Sequence, residues 1–212
     1  MTTLILIRHG ESEANCKGFF AGQFDASLMP RGSEQAKKTA DFVVNKYAPV
    51  KVYASDLKRA YSTAEPLAQL LDVDIITDER LREIYAGKWQ KMSFDELEKN
   101  FVDDYSVWIN DIGNARCSDG ESVKELSIRV MEALNDIAKE NDGKTIAIAT
   151  HATPIRAALT MIKYGNIKYM KDVPWTSNGS VTVFQYDSTW KCLCASEDAH
   201  LGEDKTRFPT NV

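Results

Sequence analysis

The chain carries three histidines, and two of them, His9 and His151, share one local setting. His9 follows the apolar run Leu4-Ile-Leu-Ile7 and Arg8, and His151 follows Ile146-Ala-Ile-Ala-Thr150. A short run of apolar and β-branched residues reads as a strand buried on both faces, as in a parallel sheet. Open α/β sheets bind ligands outside the carboxyl ends of their strands. Each run therefore delivers an imidazole to that edge, where the two can converge on one group. Their neighbours indicate which group. Arg8 offers paired donors that match phosphate oxygens. Gly10 lets backbone approach a ligand closely. Thr153-Pro154, just after His151, supplies an N-cap and an N1 proline for a helix whose free N–H groups and dipole favour an anion. An arginine, two histidines and a helix N-terminus suit a phosphate.

The elements that must hold these groups alternate in type. Strands are predicted over 3–7, 50–54, 73–77 and 144–150, and alternation predicts two more over 180–186 and 190–195 around the turn Asp187-Ser188. Helices are predicted over 33–47, from a cap at Ser55 or Asp56 to about 71, over 93–109, over 122–140 and over 153–162. Capping boxes Ser93-x-x-Glu96 and Ser122-x-x-Glu125 open two of them. Strands alternating with helices predict an α/β fold, a mostly parallel central sheet flanked by helices. Residues 78–121 lack strand alternation, so about 85–120 reads as a small helical cap inserted into a single domain spanning 1–212.

Length and charge narrow the function classes. With 212 residues there is room for one core and a modest cap. Twenty-six basic against 31 acidic residues give a net charge of −5, so no general positive field invites nucleic acid or anionic lipid. The first apolar run is broken at once by Arg8, which fits neither a signal peptide nor a membrane span. Cysteines at 16, 117, 192 and 194 match no zinc spacing and no C-x-x-C motif, so reduced thiols in a cytoplasmic protein are expected, with no metal and no cofactor. Cys192 and Cys194 should point to one face of a strand, as core. His200 should be solvated in a polar tail, the last dozen residues should be polar and loose, and Glu121 should be a first-turn carboxylate on a capped helix.

Leu6-Ile-Arg-His-Gly-Glu-Ser-Glu-Ala-Asn15 resembles the signature of the histidine phosphatase superfamily, also called the phosphoglycerate mutase-like family. Five further blocks continue the resemblance in order: Gly22–Gly32 with Glu34-Gln-Ala36, Ala54–Ala60 with Thr63-Ala64, Leu81–Trp89, Gly120-Glu-Ser122 and Thr150–Arg156; Asn178–Val181 also fits. The resemblance implies a three-layer phosphoglycerate mutase-like sandwich. It implies that His9 is the nucleophile, that Arg8, Asn15, Arg59 and His151 bind the phosphate, and that Glu83 is the general acid. Met29, Gln90 and Lys91 depart from the pattern, at places that bear on cap contacts and substrate choice. Gln23, Tyr85 and Trp89 are candidate substrate contacts, near in sequence to the signature loop or to Glu83.

Three functions follow as expectations. The first is a metal-independent phosphatase for a small phosphomonoester, releasing inorganic phosphate. The second is a cofactor-dependent phosphoglycerate mutase, whose doubly anionic intermediate needs extra cations. Residues 92–121 hold only Lys99 and Arg116, with Lys88 and Lys91 nearby, amid many acids, which favours hydrolysis. The third is a silent phosphate-binding or interaction module, disfavoured because every expected site residue is present. The strands over 180–195 could form a sheet edge or a homodimer contact.

Overall fold

In the computed structural model, which describes residues 1–206, six strands form one sheet. They are β1 (Thr2–Arg8), β2 (Lys51–Ala54), β3 (Ile75–Thr77), β4 (Thr145–Thr150), β5 (Val181–Asp187) and β6 (Thr189–Glu197), in the order β3-β2-β4-β1-β5-β6. The first four run parallel, and β5 and β6 are antiparallel at one edge. Alternation along β1 assigns the two cores: Leu4 and Leu6 face one, Ile5 and Ile7 the other. Helices α2 (Pro30–Tyr47) and α3 (Lys58–Leu71) cover the second face, and α6 (Val123–Glu140) and α7 (Ala152–Tyr164) the first. This is the expected mixed α/β sandwich. No helix among the described residues is long and apolar enough to cross a membrane.

Several local expectations change for physical reasons. A five-residue helix, α1 (Glu13–Lys17), stands where a loop was expected. The helix expected over 93–109 is two, α4 (Phe94–Asn100) and α5 (Val102–Asn110), because Phe101 leaves helical geometry and packs its ring 6.4 Å from that of Trp89. Neither Ser55 nor Asp56 caps α3. Asp56 pairs with Arg82 at 2.7 Å, and Asp25 instead accepts from the Lys58 amide at 2.7 Å. The 122–125 capping box forms as expected, its Ser122 hydroxyl accepting from the Glu125 amide at 3.1 Å. A bulge between β5 and β6 pairs Cys194 with Val183 and Cys192 with Phe184. Val183 and Phe184 belong to opposite cores, so the two sulfurs lie on opposite faces rather than one. His200 is not solvated, for its ring stacks on Phe42 at 4.4 Å and its Nε2 lies 3.1 Å from the Gly179 carbonyl. Of the last dozen residues, 201–206 dock on α2, where Gln35 donates to the Asp204 carbonyl at 2.7 Å; 207–212 lie outside the described residues.

Candidate active site

The sheet order places β4 beside β1, and the parallel register pairs Arg8 with Thr150. The next residue on each strand is a histidine, so His9 and His151 emerge side by side, ring centroids 5.1 Å apart and edge to face. Both are buried. His9 Nδ1 donates to its neighbour's carbonyl, Gly10 O, at 2.7 Å, which fixes the tautomer and leaves Nε2 with its lone pair. That Nε2 accepts from Arg59 Nε at 3.3 Å. The Asn178 amide donates to the His9 carbonyl at 2.9 Å and holds the backbone from the other side.

Arg59 enters from the first turn of α3, buried, with its remaining donors on the Phe24 and Gly22 carbonyls at 2.9 and 2.8 Å. Arg8 is also buried, and its guanidinium donates to the Thr176 carbonyl. Burial lowers both arginines, Glu83 opposes this in each, and both settle at about 10, so both stay cationic at neutral pH. Burial acts the opposite way on function in the histidines. It holds His9 well below the ordinary histidine range, and the cations Arg59 and Arg8 press the same way. His151 is lowered by burial, then by Arg59, His9, Arg129 and Arg8. The free protein therefore holds two neutral imidazoles between two guanidiniums. The Cε1 resonances of His9 and His151 should stay constant from about pH 8 down to about pH 5.5; a midpoint near ~6.5, the unperturbed value, would contradict this.

Glu83 approaches from the opposite wall. Its carboxylate accepts from the Ile84 amide at 2.8 Å and, at 3.4 Å, from the Thr153 amide in the first turn of α7. The segment that carries it is clamped from behind by Arg129 of α6. Arg129 donates to the carbonyls of Arg80, Arg82 and Glu83 at 2.7 to 3.0 Å and to both Glu121 carboxylate oxygens at 2.6 and 2.8 Å. Glu121 also accepts from the Tyr85 amide at 3.1 Å, so it is a tie between segments rather than a helix-end charge. Asn15 completes the polar floor. Its Oδ1 accepts from the Ser12 amide and hydroxyl and from Asn178 at 2.9 to 3.3 Å, which leaves the Nδ2 donors for the cavity that Asn15 lines.

The family model for the histidine phosphatase superfamily (branch 1) matches residues 4–195, a span that includes every group just described. The chain belongs to the histidine phosphatase superfamily. Phosphoserine phosphatase 1 of Hydrogenobacter thermophilus is 33% identical over 157 residues, covering 74% of each chain. A probable phosphoglycerate mutase GpmB of an Enterobacter species is 33% identical over 211 residues, covering 95% of each. Among solved structures, Bacillus stearothermophilus YhfR superposes with a TM-score of 0.90 at 26% identity, covering 95% of this chain and all of that one. The fold is thus phosphoglycerate mutase-like.

In this superfamily member one cavity gathers Arg8, His9, Asn15, Arg59 and Glu83 on its floor, with His151 buried beneath. Gln23, Tyr85 and Trp89 do not line it. The Gln23 side chain donates to the Glu83 carbonyl at 3.1 Å, Tyr85 is exposed, and Trp89 is fully buried with its indole N–H on Ser118. The walls are instead Phe19, Phe20, Phe94, Tyr105, Trp108 and Trp175. Sequence reasoning also missed Arg129 and the serine beside His151, Ser55 Oγ, 2.9 Å from Nε2. Ser55 lies within the Ala54–Ala60 block, where its expected part is a helix cap, and no local motif marks Arg129, whose partners are remote in sequence.

Gly10 serves packing more than ligand approach. A Cβ there would stand 2.3 Å from the Gly32 carbonyl, and one on Gly32 would stand 2.1 Å from the Glu11 carbonyl. The start of α2 thus abuts the backbone that carries His9. Gly32→Ala should cost about 1–3 kcal/mol by overpacking and should weaken phosphate binding along with it. Thermal unfolding and phosphate titration check this, and an unchanged Tm would contradict it.

Proposed function

We propose that the protein is a metal-independent phosphatase that hydrolyses a small phosphomonoester through a phosphohistidine on His9. The observation that carries this is the His9 ring, neutral, with Nδ1 pinned to Gly10 O and Nε2 presented to a floor of two guanidiniums. His9 Nε2 attacks phosphorus, the bond from phosphorus to the ester oxygen breaks, and Glu83 gives that oxygen its proton. Water then attacks phosphorus, the phosphorus–nitrogen bond breaks to free His9, Glu83 takes the water proton back, and inorganic phosphate leaves. Splitting the displacement lets one carboxyl act as acid and then as base. Arg8, Arg59 and Asn15 Nδ2 stabilise the charge spread over the equatorial oxygens. His151, with its Nδ1 buried and unpaired, adds a polar atom that a phosphate oxygen can satisfy.

The similarity to a phosphoserine phosphatase supports hydrolysis, and the similarity to a probable mutase keeps a second reading in view. A mutase needs further cations for a doubly phosphorylated intermediate. Lys88 and Arg116 of the cap are instead paired at the surface with Asp119 and Glu125, both at 2.7 Å, and no lysine lines the cavity among the described residues. Turnover of p-nitrophenyl phosphate should persist undiminished in excess EDTA. Loss of activity on chelation, restored by a divalent cation, would contradict the reading.

A further inference from the structure

We propose that the leaving group of the physiological substrate is an uncharged apolar or aromatic alcohol, held by the ring-lined wall above the phosphate floor. This rests on the phosphatase reading and specifies its substrate class. Beyond Arg8, Arg59 and Glu83, no charged side chain lines the cavity among the described residues. Those three are committed to the phosphate and the proton. The other large lining groups are Phe19, Phe20, Phe94, Tyr105, Trp108 and Trp175.

The wall is built, not incidental. Phe20 packs edge to face on Trp108 at 5.1 Å and on Trp89 at 5.5 Å. Trp89, fully buried, backs both Tyr105 and Trp108 at 5.8 Å. Trp175 closes the far side, 6.4 Å from Trp108. It is held against the buried Arg156, whose guanidinium lies 4.0 Å from the indole centroid and donates to the Val173 and Met170 carbonyls. Rings fixed by rings in this way are preorganised for an apolar guest.

An amino acid or hydroxy-acid phosphate is a poor fit to that wall. Its carboxylate would lose water with no cation to replace it, and its ammonium would find no carboxylate apart from Glu83. Aromatic faces can bind a cation, but Arg156 already occupies Trp175, and Arg8 and Arg59 stand on the floor. An uncharged body gains from burial and loses nothing in charge hydration.

The test compares kcat/KM of the wild-type protein for 2-phenylethyl phosphate, O-phosphoserine, glycerol 1-phosphate and phosphocholine. The phenylethyl alcohol is no better a leaving group than the serine hydroxyl, so a preference for it reports binding. The proposal expects 2-phenylethyl phosphate to exceed each of the others by at least about tenfold. Trp175→Ala should remove most of that preference while the inhibition constant of inorganic phosphate moves by less than about threefold, since the floor is intact. Equal rates, or a preference for O-phosphoserine or glycerol 1-phosphate, would overturn the apolar assignment and leave the phosphatase reading standing. A preference for phosphocholine would overturn it in favour of a cation cage. Release of phosphate from none of them, nor from p-nitrophenyl phosphate, would overturn both.

Discussion

His9→Ala is expected to lower kcat for phosphomonoester hydrolysis by at least about 10³-fold, with Tm nearly unchanged. The side chain sits at the end of a central strand, and its backbone is held by the Thr150 carbonyl and the Asn178 amide, neither of which depends on the imidazole. Removing the ring leaves the floor of Arg8, Arg59 and Asn15 to bind phosphate. What is lost is the atom that takes the phosphoryl group. The comparison is kcat with thermal unfolding on the same preparations. A variant that keeps a tenth of the activity would show that His9 only binds.

Glu83→Gln carries the second large effect, and its size should depend on the leaving group. The amide oxygen of glutamine can still accept from the Ile84 or Thr153 amide, so the segment clamped by Arg129 keeps its place. The proton is gone. For an alkyl phosphate, whose alkoxide leaves poorly, the loss should reach about 10²–10⁴-fold in kcat/KM. For p-nitrophenyl phosphate the first step needs little help. It should give a burst of about one equivalent of nitrophenol, followed by slow turnover, because the same residue activates water in the second step. Equal losses on both substrates with no burst would remove Glu83 from proton transfer.

The positions of these groups were legible in the sequence to the extent that local pattern controls them. Two apolar runs each ending in histidine announce two strand ends, and a parallel sheet brings such ends to one edge. That β4 lies next to β1, in the register Arg8 with Thr150, is a matter of topology that no local pattern encodes. The resemblance to the superfamily named the floor residues, and the geometry brings them together. The walls were not legible. Nearness in sequence to the floor residues points to Gln23, Tyr85 and Trp89, whereas the cavity is walled by residues from α1's trailing loop, the cap helices and the segment after α7. Trp89 illustrates the reason: it follows Glu83 by six residues, yet its ring turns inward to become the buried support on which the wall rings rest. Arg129 was silent in the same way, since an arginine on a helix face reads as solvated until the carbonyls it binds are known. The opposite faces of Cys192 and Cys194 turn on a one-residue bulge that period-two reasoning cannot see.

The central claim is that the phosphoryl group rests on His9 between the two displacements. The most direct measurement is rapid quenching of the protein with ³²P-labelled substrate into alkaline detergent, which preserves a phosphorus–nitrogen bond, followed by peptide mapping. The account predicts label on His9 within the first turnover, discharged to inorganic phosphate when substrate is exhausted. Label on no protein residue while phosphate is being released, or label on another residue, would contradict it.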